Sequence, residues 1–349
     1  MRGRKRSMIR NAAYLGVGLL CAAADAYRSH SRRLRGSVVV ITGGSRGLGL
    51  ALAEELARRG ARLVLAARDR YELDRARQVL LSSGAVDDEG NVLAVSADLR
   101  NQKDAEGLIE QATKQFGRVD VLINNAGIIT VGPVENQTIE QFRDVMETNF
   151  FAALHCTLAV LPQMLERGDG SIANITSIGG KVAVPHMLPY TASKFAAVGF
   201  SEGLCTELRS KGIRVTTVVP GLMRTGSHRN ALFTGDAASE YRWFSLAANL
   251  PGASAAAGRA ARRIAHAIGS GAAEVTITPQ AFLASRFANV APGLTRCAMS
   301  GMQFLLPEAQ PGESRLRRGE EVRDQEWFFA SAMGSLAARR YNQTGAVSS

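Results

Sequence analysis

The sequence predicts an α/β fold, a parallel sheet doubly wound with helices on both faces, and three observations carry that prediction. First, the continuous β-branched run Val38-Val39-Val40-Ile41 leads into the glycine-rich stretch Thr42-Gly43-Gly44-Ser45-Arg46-Gly47-Leu48-Gly49 and then into an apolar-faced helix. Such a run suits a strand buried on both faces of a parallel sheet. Second, strand and helix patterns alternate downstream, which implies right-handed crossovers. Third, the predicted strand ends carry Asn124-Asn125-Ala126-Gly127, Ser177 and Pro220-Gly221. Those carboxyl ends are where open α/β sheets bind ligands.

Composition bounds the rest. With 349 residues, 46% of them hydrophobic, the chain is long enough for one large core or a core with extensions. A net charge of +11 first suggests a nucleic-acid partner. Residues 1–35, however, hold nine Lys/Arg and one Asp and so carry +8, leaving only +3 on everything else. The basicity belongs to a leader, and no nucleic-acid partner is expected. Cys21, Cys156, Cys205 and Cys297 are far apart, with no C-x-x-C and no His at ligand spacing. No metal site is expected, and a reduced, cytoplasmic chain is the simplest reading. No repeat period stands out.

Taken in order, residues 2–10 are basic, 12–24 apolar and 28–35 basic again. The apolar run falls short of the ~20 residues a spanning helix needs. Three readings stay open: a peripheral or packed amphipathic helix, which the flanking Arg cluster favours; a membrane anchor; and a cleaved signal ending at Ala24-Asp25-Ala26. We divide the chain into this extension (1–35), a catalytic unit (36–280) and a second extension (281–349).

After the first strand, glycines let the backbone turn sharply and approach a pyrophosphate, while the helix at 50–59 offers unpaired N–H groups to the anion. The spacing G-x-x-x-G-x-G departs from the commoner G-x-G-x-x-G. Taken alone it fits a plain turn; between a buried strand and an apolar-faced helix it favours dinucleotide binding. The second strand, 62–66, ends Ala66-Ala67-Arg68, with no carboxylate to bond a ribose 2′-OH. Arg68, with Arg46 from the glycine loop, is placed to hold a 2′-phosphate instead, so NADP(H) is preferred and NAD(H) stays open. A helix at 71–81, a strand at 91–97 ending in Asp98-Leu99, a helix at 103–116 and a strand at 120–123 continue the alternation.

A long helix over 138–165 then carries Asn149 near its middle, an unfavourable place unless the amide is exposed or partnered. A fifth strand, 171–176, delivers Ser177. No His–Asp pair and no G-x-S-x-G surrounds it, so its hydroxyl reads as a hydrogen-bond donor and not an acyl acceptor. Tyr190 opens a helix running to about 211, and Lys194 follows one turn later on the same face. A fixed cation favours phenolate and brings a phenol of pKa about 10 toward the working range. On its own such a pair is usually an exposed helix contact. The sixth strand is 213–219.

In this order the marks Thr42-Gly43-x-x-x-Gly47-x-Gly49, Asn124-Asn125-Ala126-Gly127, Asn149, Ser177, Tyr190-x-x-x-Lys194 and Pro220-Gly221 resemble the short-chain dehydrogenase/reductase family in its single-domain, NADP-using form. The resemblance covers about residues 37–280. It implies a Rossmann-like, seven-stranded parallel sheet whose last strand is 274–278. It also implies Tyr190 as catalytic acid/base, Lys194 as the group that lowers its pKa and binds the nicotinamide ribose, Ser177 as a bond to the substrate oxygen, and Asn149 as support behind Lys194. As cofactor contacts it implies Gly43, Ser45, Arg46, Gly47, Leu48, Gly49, Arg68, Asp98 beside adenine, Leu99, Asn125, Ala126, Gly127, Pro220, Gly221, and Thr225 on the carboxamide.

Residues 222–258 fall where this family builds its substrate lid. Met223, Leu232, Phe233, Tyr241, Trp243, Phe244 and Leu246, with Ile128, Ile129, Met187 and Leu188 flanking the crevice, either pack the lid down or cover a bulky apolar carbonyl or alcohol such as a steroid, retinoid or long acyl chain. Arg224 and Arg229 also allow a phosphate-bearing acyl carrier; His186 and His228 read as incidental. Residues 282–306 predict two short amphipathic helices broken at Pro292-Gly293, 307–326 a polar linker and 327–340 a last helix. The helix pair has three roles open to it: covering the core, joining a neighbouring subunit of an expected homo-oligomer, or resting on lipid as a peripheral membrane contact. Two rival functions are carried, an NADP(H)-binding sensor or scaffold and an NAD-linked alcohol dehydrogenase.

Overall fold

The computed structural model describes residues 34–249, 254–322, 335 and 337–343. Almost all of the leader and most of the helix expected at 327–340 lie outside the described residues.

Seven parallel strands form the sheet: β1 (Val38–Thr42), β2 (Arg62–Ala67), β3 (Val92–Ser96), β4 (Val121–Asn124), β5 (Gly170–Ile175), β6 (Ile213–Val219) and β7 (Glu274–Thr276), in the order β7-β6-β5-β4-β1-β2-β3. Every pairing is parallel, as in Val40↔Val64 and Ile41↔Ile123. The β-branched run is buried at all five positions of β1 because helices cover both faces. Its period of two sorts the core. Val39, Ile41, Leu63 and Leu65 enter one apolar cluster, and Val38, Val40, Val64 and Ala66 enter the other. The first cluster packs under α1 (Gly47–Arg58), α2 (Arg70–Ser82) and the helix Ala257–Ser270. The second packs under α3 (Gln102–Phe116) and the helix Ala152–Arg167. Strand order reverses between β1 and β4, so the connections leaving their carboxyl ends run to opposite faces of the sheet and leave a crevice there.

The helix expected over 138–165 is built in three pieces: α4 (Ile139–Met146), a π turn (Glu147–Phe151) and α5 (Ala152–Arg167). Thr138 and Gln141 close a capping box at its start. Asn149 lies in the π turn and is 3% exposed, so a wide turn accommodates the unfavourable residue and aims its amide inward. By length and composition Ile139–Arg167 would also suit a membrane span. Here it packs Cys156, Val160 and Met164 into the second core cluster.

The helix carrying Tyr190, α6 (Leu188–Leu208), starts two residues earlier than expected because Pro189 fits its first turn. It ends in a 3₁₀ turn closed by Gly212, where φ is +79° and a Cβ would stand 1.9 Å from Gly168 O. Beyond β6, in the stretch expected as a lid, α7 (Ala237–Asn249) precedes α8 (Ala257–Ser270), and β7 closes the sheet two residues short of expectation.

After β7, α9 (Pro279–Val290) and α10 (Pro292–Gln303) are the two helices predicted, and they break at Pro292. The expected linker is not one as far as Val322. Arg317 and Arg318 pair antiparallel with Phe233 and Leu232, which in turn pair with Val131 and Thr130. Gln141 Nε2 donates to Ser314 O at 2.7 Å, and Gly235 N–H donates to Glu313 O at 3.0 Å. A polar sequence gives no hydrophobic period to read, yet its backbone groups strap residues 232–235 and Gln141.

Candidate active site

Three strand ends and the first turns of α6 converge. Ser177, just past β5, accepts from Gly179 N–H at 3.0 Å, and a Cβ on Gly179 would stand 3.5 Å from its Oγ and 3.3 Å from Tyr190 Cε1, so the hydroxyl and the phenol ring flank one spot. Lys194, one turn along α6, is 5% exposed; its ammonium donates to Ile175 O at 3.1 Å and lies 5.7 Å from the Tyr190 ring centroid. A Cβ on Gly127 would stand 3.6 Å from Lys194 Nζ and 3.0 Å from Asn149 Oδ1, so a glycine keeps that approach open. Asn149 Nδ2 donates to Ile128 O (3.0 Å) and Ser193 Oγ (2.9 Å), and its Oδ1 accepts from Ile128 N–H (2.7 Å). Ser177, Tyr190, Lys194 and Asn149 are therefore one constellation.

Its electrostatics differ from the expectation in one respect. Burial pushes the Tyr190 phenol above its ordinary value, with the nearby Ser177 hydroxyl pulling the other way. Lys194 does not bring it down, because the ammonium is spent on a carbonyl and burial lowers its own pKa to about 8. In this state Tyr190 is a protonated phenol at neutral pH, poised as an acid.

The glycine loop has the backbone a pyrophosphate needs. Gly43 and Gly47 have φ of +62° and +59°, and a Cβ on Gly49 would stand 2.0 Å from Gly43 O. No side chain caps the N-terminus of α1, and its first turn has no acid, so the donor set suits an anion. Asn125 ties this loop to β4. Its Nδ2 donates to Thr42 O (2.9 Å) and Gly43 O (3.1 Å), while Asn125 and Ala126 N–H donate to Thr42 Oγ1. Across the sheet, Ile178 N–H donates to Pro220 O, and a Cβ on Gly221 would meet Thr278 Oγ1 at 2.2 Å. Thr225 is buried, its Oγ1 accepting from Ser227 N–H and its Cβ lying 4.0 Å from where a Gly47 Cβ would stand. Leu48 and Leu99 turn their side chains into the core.

Of the two arginines expected on a 2′-phosphate, Arg68 is exposed past β2, whereas Arg46 donates to Glu72 Oε1 (2.9 Å) and Asn230 Oδ1 (3.0 Å). Glu72 also accepts from Ser45 Oγ at 3.0 Å. Asp98 is engaged by Arg100 at 3.0 Å, which holds its carboxyl below the usual range. Arg224 is taken up by Ser254, and buried Arg229 by Ser335, so neither guanidinium faces a carrier phosphate. His186 is not incidental: it is buried against Glu240 at 2.6 Å.

Sequence reasoning missed one more participant. Tyr341-Asn342-Gln343 lies across the glycine loop, with Gly47 N–H donating to Tyr341 O at 2.8 Å and Asn342 Nδ2 donating to Ser45 O at 2.9 Å. No local pattern marks these residues; only the tertiary fold brings them there. Of the lid's apolar residues, Phe233, Tyr241 and Phe244 are buried in a cluster with Val131 and Met187, while Leu188, Leu222 and Leu246 stay exposed. The first group therefore packs the lid down.

Residues 37–233 match the family model described as short chain dehydrogenase. The chain is similar to the dehydrogenase/reductase SDR family protein 7-like of Anopheles gambiae, 38% identical over 210 residues, which is 60% of this chain and 66% of that relative, just under two thirds of its length. Among solved structures, it is similar to a short chain dehydrogenase/reductase from Burkholderia phymatum in complex with NAD (27% identity, TM-score 0.67, covering 75% of this chain and 96% of that one). It is also similar to an actinorhodin polyketide ketoreductase variant with NADPH (31% identity, TM-score 0.60, covering 70% and 96%).

Proposed function

The chain belongs to the short-chain dehydrogenase family, and from that premise we propose that it is an NADP(H)-dependent oxidoreductase interconverting a carbonyl group and an alcohol on a bulky apolar substrate. The observation that carries this reading is the Tyr190 ring beside the Ser177 hydroxyl with the Lys194 ammonium buried 5.7 Å from the ring centroid. When bound, NADPH supplies the hydride. Gly43, Ser45, Gly47 and Gly49 would hold its pyrophosphate, and Arg68, with Arg46 once released from Glu72, its 2′-phosphate. Asp98 and the Leu99 backbone would flank its adenine. Asn125, Ala126, Gly127 and Lys194 would lie along the ribose, with Pro220, Gly221 and Thr225 beside the carboxamide.

In the reducing direction Tyr190 gives its phenolic proton to the carbonyl oxygen as the carbon gains the hydride, and Ser177 donates a hydrogen bond to that same oxygen. Lys194, an ammonium at pH 7, then faces the phenolate left behind. In the oxidising direction Tyr190 takes the alcohol proton. Leu188 and Leu222, exposed beside Tyr190 and Gly221 in the chain, support an apolar substrate. The likeness to a polyketide ketoreductase supports a carbonyl.

A panel of aldehydes, ketones and secondary alcohols run with both cofactors tests this, with NADPH and NADH affinities taken from nicotinamide fluorescence. Reduction of a bulky ketone and tighter NADPH binding are expected. Cofactor binding without turnover of any compound would mean a sensor or scaffold, and tighter NADH binding an NAD-linked dehydrogenase.

A further inference from the structure

We infer that the C-terminal segment Tyr341-Asn342-Gln343 is an intramolecular competitor of the dinucleotide: it occupies the pyrophosphate cradle, and the cofactor binds only when the segment leaves. The inference rests on the reading above that the glycine loop holds a dinucleotide. Its core is a shared donor. Gly47 N–H, at the N-terminus of α1, is the kind of group that faces a pyrophosphate, and it already donates to Tyr341 O at 2.8 Å. One N–H cannot serve both acceptors at full strength.

The segment is built into the place. All three residues are buried, and Asn342 adopts the left-handed backbone (φ 53°) that asparagine tolerates. Asn342 Nδ2 donates to Ser45 O (2.9 Å) and Glu72 O (3.1 Å), while its Oδ1 accepts from Arg75 Nε (3.0 Å). Gln343 Nε2 lies 2.5 Å from where a Cβ on Gly47 would stand, so it fills the space the glycine leaves open.

Asn230 links this occupancy to the arginine expected on the 2′-phosphate. Its Nδ2 donates to Gln343 Oε1 (2.6 Å) while its Oδ1 accepts from Arg46. Departure of the segment removes two of the three hydrogen bonds that orient the Asn230 side chain, those to Gln343 O and Oε1, and loosens Arg46 toward the crevice. The occupant is held by neutral amides and carbonyls, which a charged pyrophosphate displaces at a helix N-terminus. The apparent affinity for the cofactor is then the intrinsic one reduced by the fraction of chains with the segment out.

The test uses the full chain. Asn342→Ala combined with Gln343→Ala removes the anchors and leaves the glycine loop intact. NADPH and NADH are titrated by fluorescence, and the double variant should bind about 5- to 10-fold more tightly than wild type. In the wild-type chain, hydrogen exchange of a peptide spanning 341–343 should accelerate at saturating NADPH while β1 stays protected. Binding that is unchanged within twofold, together with unchanged exchange, overturns the competition and leaves the cofactor reading standing. Absence of dinucleotide binding in both wild type and variant overturns that reading, and this inference with it.

Discussion

Asn149 and the backbone of Ile128 grip each other in both directions, Ile128 N–H donating to Oδ1 at 2.7 Å and Nδ2 donating to Ile128 O at 3.0 Å. This grip fixes the chain beside Gly127, against which Lys194 Nζ packs. Asn149→Ala strands two backbone groups and the Ser193 hydroxyl contact. We expect about 1–3 kcal/mol lost from stability in urea and a kcat reduced roughly 10- to 100-fold, with NADPH affinity little changed. Asn149→Asp, which keeps the acceptor and loses the donors, should fall between. A variant with wild-type kcat would show that Ile128 needs no such hold.

Tyr190→Phe should keep NADPH binding, because the ring remains, and lose turnover by about 10²–10⁴-fold, the size of a lost proton transfer. The direction of the Tyr190 shift adds a pH signature. A phenol raised above its ordinary value stays protonated through neutrality, so reduction should run flat across pH 6–8 while oxidation, which needs phenolate, climbs with pH. Initial rates in both directions on one substrate pair check this; an oxidation rate already flat at pH 7 would contradict it.

The strands, their parallel order and the residues at their ends were legible because each rests on a local cause: β-branched runs, glycines where a Cβ would clash, and a Tyr and Lys one turn apart. The bent helix at Asn149 was half legible. The sequence shows a misplaced asparagine, but only the Ile128 backbone explains the π turn that receives it. What holds Arg46 was not legible, because Glu72 and Asn230, 26 and 184 residues away, engage it by contacts with no sequence period. The lid aromatics were ambiguous for a general reason, since Phe233 and Phe244 look the same whether they cover a ligand or each other.

Lys194 gives a stability test whose sign is fixed. Its folded pKa of about 8 lies below the ordinary Lys value of 10.5. Between those values the unfolded chain binds more protons, so the Lys194 contribution makes stability rise with pH from about 8 to 10.5. Below about 8 the buried ammonium carries its full penalty, on the order of 3 kcal/mol for a shift of this size. Lys194→Met should therefore lose activity yet unfold at higher urea at pH 7 than wild type, and the gap should close toward pH 10.5. Parallel pH dependences for the two proteins would show that the ammonium is not strained.

The lid is pinned from inside by His186, whose Nδ1 meets Glu240 Oε1 at 2.6 Å with both side chains almost wholly buried. Gln303 Nε2 can only donate, so His186 Nε2 accepts from it and Nδ1 carries the proton toward Glu240. The second carboxylate oxygen accepts from Trp243 Nε1 at 2.6 Å, and His186 O accepts from Gly132 N–H at 2.7 Å. One imidazole thus joins α7, α10 and the loop that leads into Tyr190. His186→Ala leaves a buried carboxylate short of a donor and puts alanine at φ 60°, a backbone that His, Asn and Asp adopt more readily; about 2–4 kcal/mol should be lost. If this segment covers substrate, as proposed, and touches no reacting atom, KM should rise severalfold with kcat reduced less. His186→Asn, which tolerates that backbone and retains an amide donor, should recover part of both. If KM holds at the wild-type value while the melting temperature drops, the pin serves stability alone and the lid is positioned by the Phe233–Phe244 packing instead.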